Sequence, residues 1–172
     1  VPHQGPRPGV VHEIAEGLKL VRGNPTLWSL AWPAGLWQLL HHAQLAVLIL
    51  FATRELGLSA GAIGVAYVFG GLGCVLAAAS AEKLSARLGV GPVIVHGLLA
   101  TAIAWQAFGL IDGPVWFAAL ALGLAMLLFD FGGVLFGINY LALRQAITPD
   151  RLLGRMTATM RFLTVAAAPL GS

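Results

Sequence analysis

One acid and one polar cluster stand out because each interrupts a run of apolar residues. Asp130 sits in AMLLFDFGGVLFG, and no other Asp, Glu, Lys or Arg falls between 114 and 143. An ionisable group at bilayer depth costs about 2.5–3.5 kcal/mol on insertion scales, so it faces a water-filled cavity or a partner. Two chemistries fit it. Asp130 is either a carboxylate that couples to protons or cations or meets a cationic substrate, or a buried acid held neutral or hydrogen-bonded to a neighbouring helix. The cluster is Gln38, His41, His42 and Gln44 in GLWQLLHHAQLAV. At about 100° per residue these four occupy one arc of roughly 160°, with His42 at one edge and Gln44 at the other. One face of that helix is wet. Histidine titrates near neutral pH and can relay protons, while the same groups serve equally well as interhelical hydrogen-bonding partners.

Other chemistries lack their residues. His41 and His42 are adjacent and point about 100° apart, unlike the i, i+4 pair of an H-E-x-x-H zinc helix. No G-x-S-x-G element or Cys–His ligand set is present. The single cysteine, Cys74, lies among small apolar residues and reads as a packing thiol. The sequence therefore points to no catalytic residue, no metal and no cofactor, and the chain is not read as an enzyme.

The elements that position these residues follow from composition. The 172 residues are 58% hydrophobic and only 10% charged, with a mean hydropathy of +0.85. A soluble domain needs roughly 25–35% charged surface residues, and disorder needs less apolar content. Ten Lys and Arg spread among long apolar runs make no phosphate-binding stripe, so the net charge of +3 does not signal nucleic acid. About 20 apolar residues cross a hydrocarbon core. Residues 26–53, 56–81 and 88–111 carry no Asp, Glu, Lys or Arg, and 114–143 carries Asp130 alone. These are four spans.

Around them, 12–24 reads as an amphipathic helix on the membrane surface, with Ile14, Leu18 and Val21 at helical spacing. Residues 144–161 read as a loop, 162–172 as the start of a truncated fifth span, and 1–11 as a cut or disordered linker. Trp28 and Trp116 fit interfacial anchors, and Trp32 and Trp37 lie deeper. Glycines four apart, as in Gly57/Gly61 and Gly133/Gly137, fit close helix packing. With the chain alternating sides at each span, Arg7, Lys19, Arg22, Lys83, Arg87, Arg144, Arg151, Arg155 and Arg161 fall on one face and only Arg54 on the other. By the positive-inside rule the N-terminal flank and the loops 82–87 and 144–161 are cytoplasmic.

The segments EIAEGLKLVRGNP (13–25), TRELGLSAGAIG (53–64), LSARLGVGP (84–92) and LRQAITPDRLLGRMTATMRFL (143–163) resemble the C-terminal half of major facilitator superfamily exporters, closest to the enterobactin-exporter-like and macrolide-efflux-like branch. The resemblance implies an all-α inner-membrane fold in which the four spans are the seventh to tenth helices of a twelve-helix transporter. It implies that the seventh and tenth, which carry the Gln38–Gln44 group and Asp130, line a substrate and proton pathway. It also implies export of a drug- or siderophore-like molecule by proton antiport with alternating access, in the bilayer and together with a missing N-terminal half. Lys83, Arg87 and Gly89 fall in what resembles the family's cytoplasmic gating loop, although Ala86 stands where its acid would be. The alternatives are a non-transporting helical scaffold or accessory subunit and, further off, an intramembrane enzyme.

Overall fold

A computed structural model of the chain describes residues 10–165, and all the regular structure among them is helical. Six helices run in order: α1 (Val10–Gly23), α2 (Pro25–Leu50), α3 (Ala60–Leu88), α4 (Val90–Gly109), α5 (Val115–Ala146) and α6 (Leu153–Val165). A π-helical turn, Phe51–Glu55, extends α2, and a 3-10 turn, Asp150–Leu152, precedes α6. Four helical stretches are long and apolar enough to cross a membrane: Pro25–Glu55, Ala60–Leu88, Val90–Gly109 and Val115–Ala146. The protein has transmembrane character.

The chain divides into two compact units, Val1–Ala46 with Arg144–Ser172, and Val47–Leu143. In the first, α1 packs against α6. Val21, Met156 and Met160 are fully buried there, and Gly17 lies so close to α6 that a Cβ on it would meet the Thr159 hydroxyl and the Arg155 carbonyl. The amphipathic pattern predicts a membrane surface for α1; the structure gives it a helical partner. Asn24 alone joins α1 to α2. Its side chain accepts hydrogen bonds from the backbone N–H of Thr26 (3.0 Å) and Leu27 (3.2 Å), an N-cap that satisfies two of the donors a helix start leaves open.

In the second unit, α3 buries only small residues. Ala66, Gly70, Gly73, Ala77 and Ala81 recur every three or four positions and form one inward stripe, while Val65, Val68, Leu72, Val75 and Leu76 are exposed. Water would drive the opposite arrangement. Lipid, being as apolar as the exposed side chains, leaves close backbone approach as the basis of helix association. Ala77, Ala81, Val93 and Leu135 form a core between α3, α4 and α5, with Leu84, Phe131 and Val134 packed on it.

The boundaries differ from those read from charge. α3 runs on to Leu88, so Lys83 and Arg87 sit on its last turns instead of in a loop, and Gly89 is the whole α3–α4 connection. At φ +87° it holds a conformation that side chains disfavour, and its N–H donates to the Ser85 carbonyl at 2.9 Å. Most of 144–161 is helical: α5 ends at Ala146 and α6 begins at Leu153. The segment read as the start of a fifth span overlaps the end of α6, with 166–172 outside the described residues, as are 1–9 of the linker.

Candidate functional site: polar groups within the spans

The polar groups singled out in the sequence fall one in each unit, each inside a candidate span. On α2, Gln38, His41 and His42 are half-buried and Gln44 is buried. The indole of Trp37 stacks on the His41 ring, with centroids 4.9 Å apart and planes within 10°. His42 meets His41 edge-on at 5.7 Å, and its Nδ1 lies 2.8 Å from the Gln38 carbonyl, so it donates there as the Nδ1–H tautomer. That bond satisfies a polar atom within its own helix and leaves Nε2 to accept. The Gln44 side-chain oxygen is buried and accepts no hydrogen bond among the described residues. The α2 positions thus form a short, linked chain from Trp37 to His42, with Gln44 a further half-turn along.

Asp130 lies on α5, half-buried. Its carboxylate rests directly against the backbone of α3 at Gly70: a Cβ built there would collide with Oδ2, come within 3.4 Å of Cγ, and stand 3.8 Å from Met126 Cβ. One turn further along α3, Gly73 faces the Leu127 carbonyl and the Phe131 N–H. Asp130 therefore occupies a seam where two helix backbones touch. Among the described residues no hydrogen bond or ion pair engages its carboxylate. The sequence singled out Gly132-Gly133 beside it as loosening the helix or allowing close packing. Packing is what Gly132 does, since a Cβ on it would stand 2.6 Å from the Gly97 carbonyl of α4, and α5 is continuous through it.

Gly70 is a site residue that the sequence does not reveal by spacing. Of the glycines chosen for their four-residue spacing, Gly57 and Gly137 have open space around them, and Gly61 meets only Ser59. A second missed pair is Ser85 with Asn139. Asn139 is 2% exposed; its amide donates to the Leu135 carbonyl at 3.0 Å, and its Oδ1 lies 2.6 Å from Ser85 Oγ. Ser85 Oγ is also 2.7 Å from the Ala81 carbonyl, so one hydroxyl proton serves two acceptors. In the segment that resembles a gating loop, Ser85 reaches α5 by a hydrogen bond and Leu84 packs on the core that holds Leu135, while Lys83 and Arg87 are exposed. A double-mutant cycle of Ser85→Ala and Asn139→Ala, read by unfolding in detergent, should give a coupling of about 0.6 kcal/mol, the usual size for an interhelical hydrogen bond in a membrane protein. A coupling of zero means that each side chain is satisfied by its own helix.

Among the described residues, no three His, Cys, Asp or Glu side chains come together in the manner of a metal site. Compared with protein-family models, with curated proteins and with solved structures, the chain matches none.

Proposed function

We propose that the chain is the C-terminal half of a secondary active exporter of the major facilitator type, moving drug- or siderophore-like small molecules out of the cell by proton antiport. The observation that carries this reading is Asp130: a carboxylate within an apolar helix, seated in a glycine-made seam, with no described cation against it. A structural acid would be expected to hold a hydrogen-bonding partner there, because an unsatisfied ionisable group inside a membrane is costly. A proton-carrying acid has reason to lack one, since its partner arrives from solution. The His41–His42 pair on α2 supplies further exchangeable protons within a span, and the Gln44 side-chain oxygen is buried there without a described hydrogen bond. The exporter class and the substrate class rest on the resemblance of the 53–64 and 143–163 segments alone.

The decisive experiment places this chain within the complete transporter, in vesicles holding a pH gradient, and follows export of a panel of amphipathic drugs and iron chelators. Gradient-driven export that Asp130→Asn abolishes supports the reading. Export indifferent to Asp130→Asn removes the residue from coupling, and no export of any compound favours the scaffold.

Orientation in the inner membrane, with α1 and α6 cytoplasmic, is proposed on the nine-to-one distribution of Lys and Arg. In a Cys74→Ser background, Ser59→Cys should react with an impermeant thiol reagent added outside intact cells, and Ala86→Cys only after the cells are opened. Both positions are exposed, so burial does not confound the result. The reverse pattern overturns the topology.

A further inference from the structure

We infer that the outward face of α1 is a docking surface for anionic phospholipid headgroups of the bilayer that α2 enters. The starting point is the face that α1 does not use for packing. Gly17 and Val21, buried against α6, lie within about 40° of each other around the helix, and Lys19 and Arg22 fall about 100–160° away from them at 100° per residue. Lys19, Arg22, Ala15 and Leu18 are all exposed. By the same register, position 13 lies opposite Arg22 and position 16 about 60° beyond Lys19, so Arg22 stands at least about 120° around the helix from both of its acids. Exposed Ala15 lies between the two cations around the helix, and exposed Leu18 lies about 40° from Arg22 on the side away from Lys19, so an apolar edge borders the positive charge, the pattern of a helix lying in a headgroup layer.

Two further observations set where this face points and what it binds. The single-residue joint at Asn24, fixed by its two capping bonds, keeps Lys19 and Arg22 within two turns of the start of α2. The Arg22 guanidinium stands 5.9 Å over the Trp28 ring. Tryptophan near the end of a membrane helix sits at headgroup level, so Arg22 is held there with one face of its guanidinium plane covered by the indole. The in-plane N–H edge of a guanidinium is the one that pairs with a phosphate. Arg151, in the 3-10 turn before α6, and Arg161 on α6 are also exposed and add to the positive character of the same unit. A phospholipid phosphodiester, and above all a headgroup with a net negative charge, is the ligand this chemistry recognises.

The test uses the full chain in vesicles of phosphatidylcholine alone or with one third phosphatidylglycerol, with a polarity-sensitive fluorophore on Leu18→Cys in a Cys74→Ser background. The expected result is a blue shift that grows with phosphatidylglycerol and disappears in half-molar salt. Lys19→Gln with Arg22→Gln should weaken the phosphatidylglycerol response about thirtyfold, roughly fivefold for each cation lost. Arg22→Lys should keep most of it if charge leads. Identical spectra in the two lipids, or a response the double variant leaves unchanged, overturns the inference. So does an equal shift from inorganic phosphate added to phosphatidylcholine vesicles, which would make this a free-anion site. Because both replaced side chains are exposed and away from the α6-facing positions, helicity by circular dichroism should not change, and a loss of helicity would mean that the face holds the fold.

Discussion

Gly97→Leu is expected to lower the unfolding free energy of the protein by about 3 kcal/mol or more, the upper range for forcing volume into a packed core. The reason is what a side chain would meet. A Cβ at Gly97 would stand 2.8 Å from the Gly132 carbonyl oxygen and 2.9 Å from the Phe136 amide nitrogen. Both are backbone atoms of α5, fixed by helical hydrogen bonds, so relief requires the two helices to part. Parting them gives up the contacts among Val93, Leu135 and their neighbours as well. Thermal or detergent-induced unfolding, followed by circular dichroism, measures the loss. Gly64→Ala and Gly71→Ala supply the comparison, because nothing lies within 4 Å of a Cβ at either position. These two should be neutral or slightly stabilising, by up to about 1 kcal/mol, since alanine is the better helix former. If all three variants behave alike, close α4–α5 approach is not what makes Gly97 matter.

Gly70→Ala should behave in the opposite way, sparing the fold and removing function. Here the atom in the way is Oδ2 of Asp130, the free end of a flexible side chain, and α5 backbone is not among the nearest atoms. The carboxylate can rotate aside, so stability should change by less than about 1 kcal/mol. The displaced acid, however, no longer lies in the seam. On the proposal that Asp130 carries the coupled proton, pH-gradient-driven export by the complete transporter should fall roughly tenfold, within the ordinary range of a coupling free energy between two sites. Asp130→Glu in the Gly70→Ala background would be a poor rescue, being longer in the same direction; Asp130→Asn should add little to the Gly70→Ala defect. A Gly70→Ala protein that exports at full rate while Asp130→Asn does not would mean that the acid works without its glycine.

The contrast between these glycines shows what a sequence can and cannot announce here. Four spans are legible because lipid imposes a length and an apolar content, and each leaves a visible gap in the charges. Asp130 is legible for the same reason, as a charge where the solvent should forbid one. The ends of α3 and α5 are less so. Lys83 and Arg87 mark where the chain becomes polar, which for a helix longer than the hydrocarbon is not where the helix stops. Helix–helix contacts are less legible again. Glycine spacing within one helix is the same whether the residue faces a neighbour, as Gly70, Gly73 and Gly97 do, or open space, as Gly64 and Gly71 do. The deciding information lies on the partner helix, far along the chain, as Gly132 is from Gly97 and Asp130 from Gly70, and single-sequence periodicity does not contain it. The pairing of α1 with α6, and of Ser85 with Asn139, is hidden for the same reason.

The crossing of Gly97 and Gly132 also constrains how this part of the molecule can move. A slip of α5 along α4 by one helical turn, about 5.4 Å, would bring Leu128, Phe129, Leu135 or Phe136 to the place Gly132 now holds, and each is far too large for it. A slip of α4 would bring Val93, Ile94, Ala100 or Thr101 to the place Gly97 holds, and each carries a Cβ, for which the Gly132 carbonyl and the Phe136 amide leave no room. Only one register is available. The two helices are thus a single strut with a keyed joint, able to tilt or rotate as one body but not to ratchet.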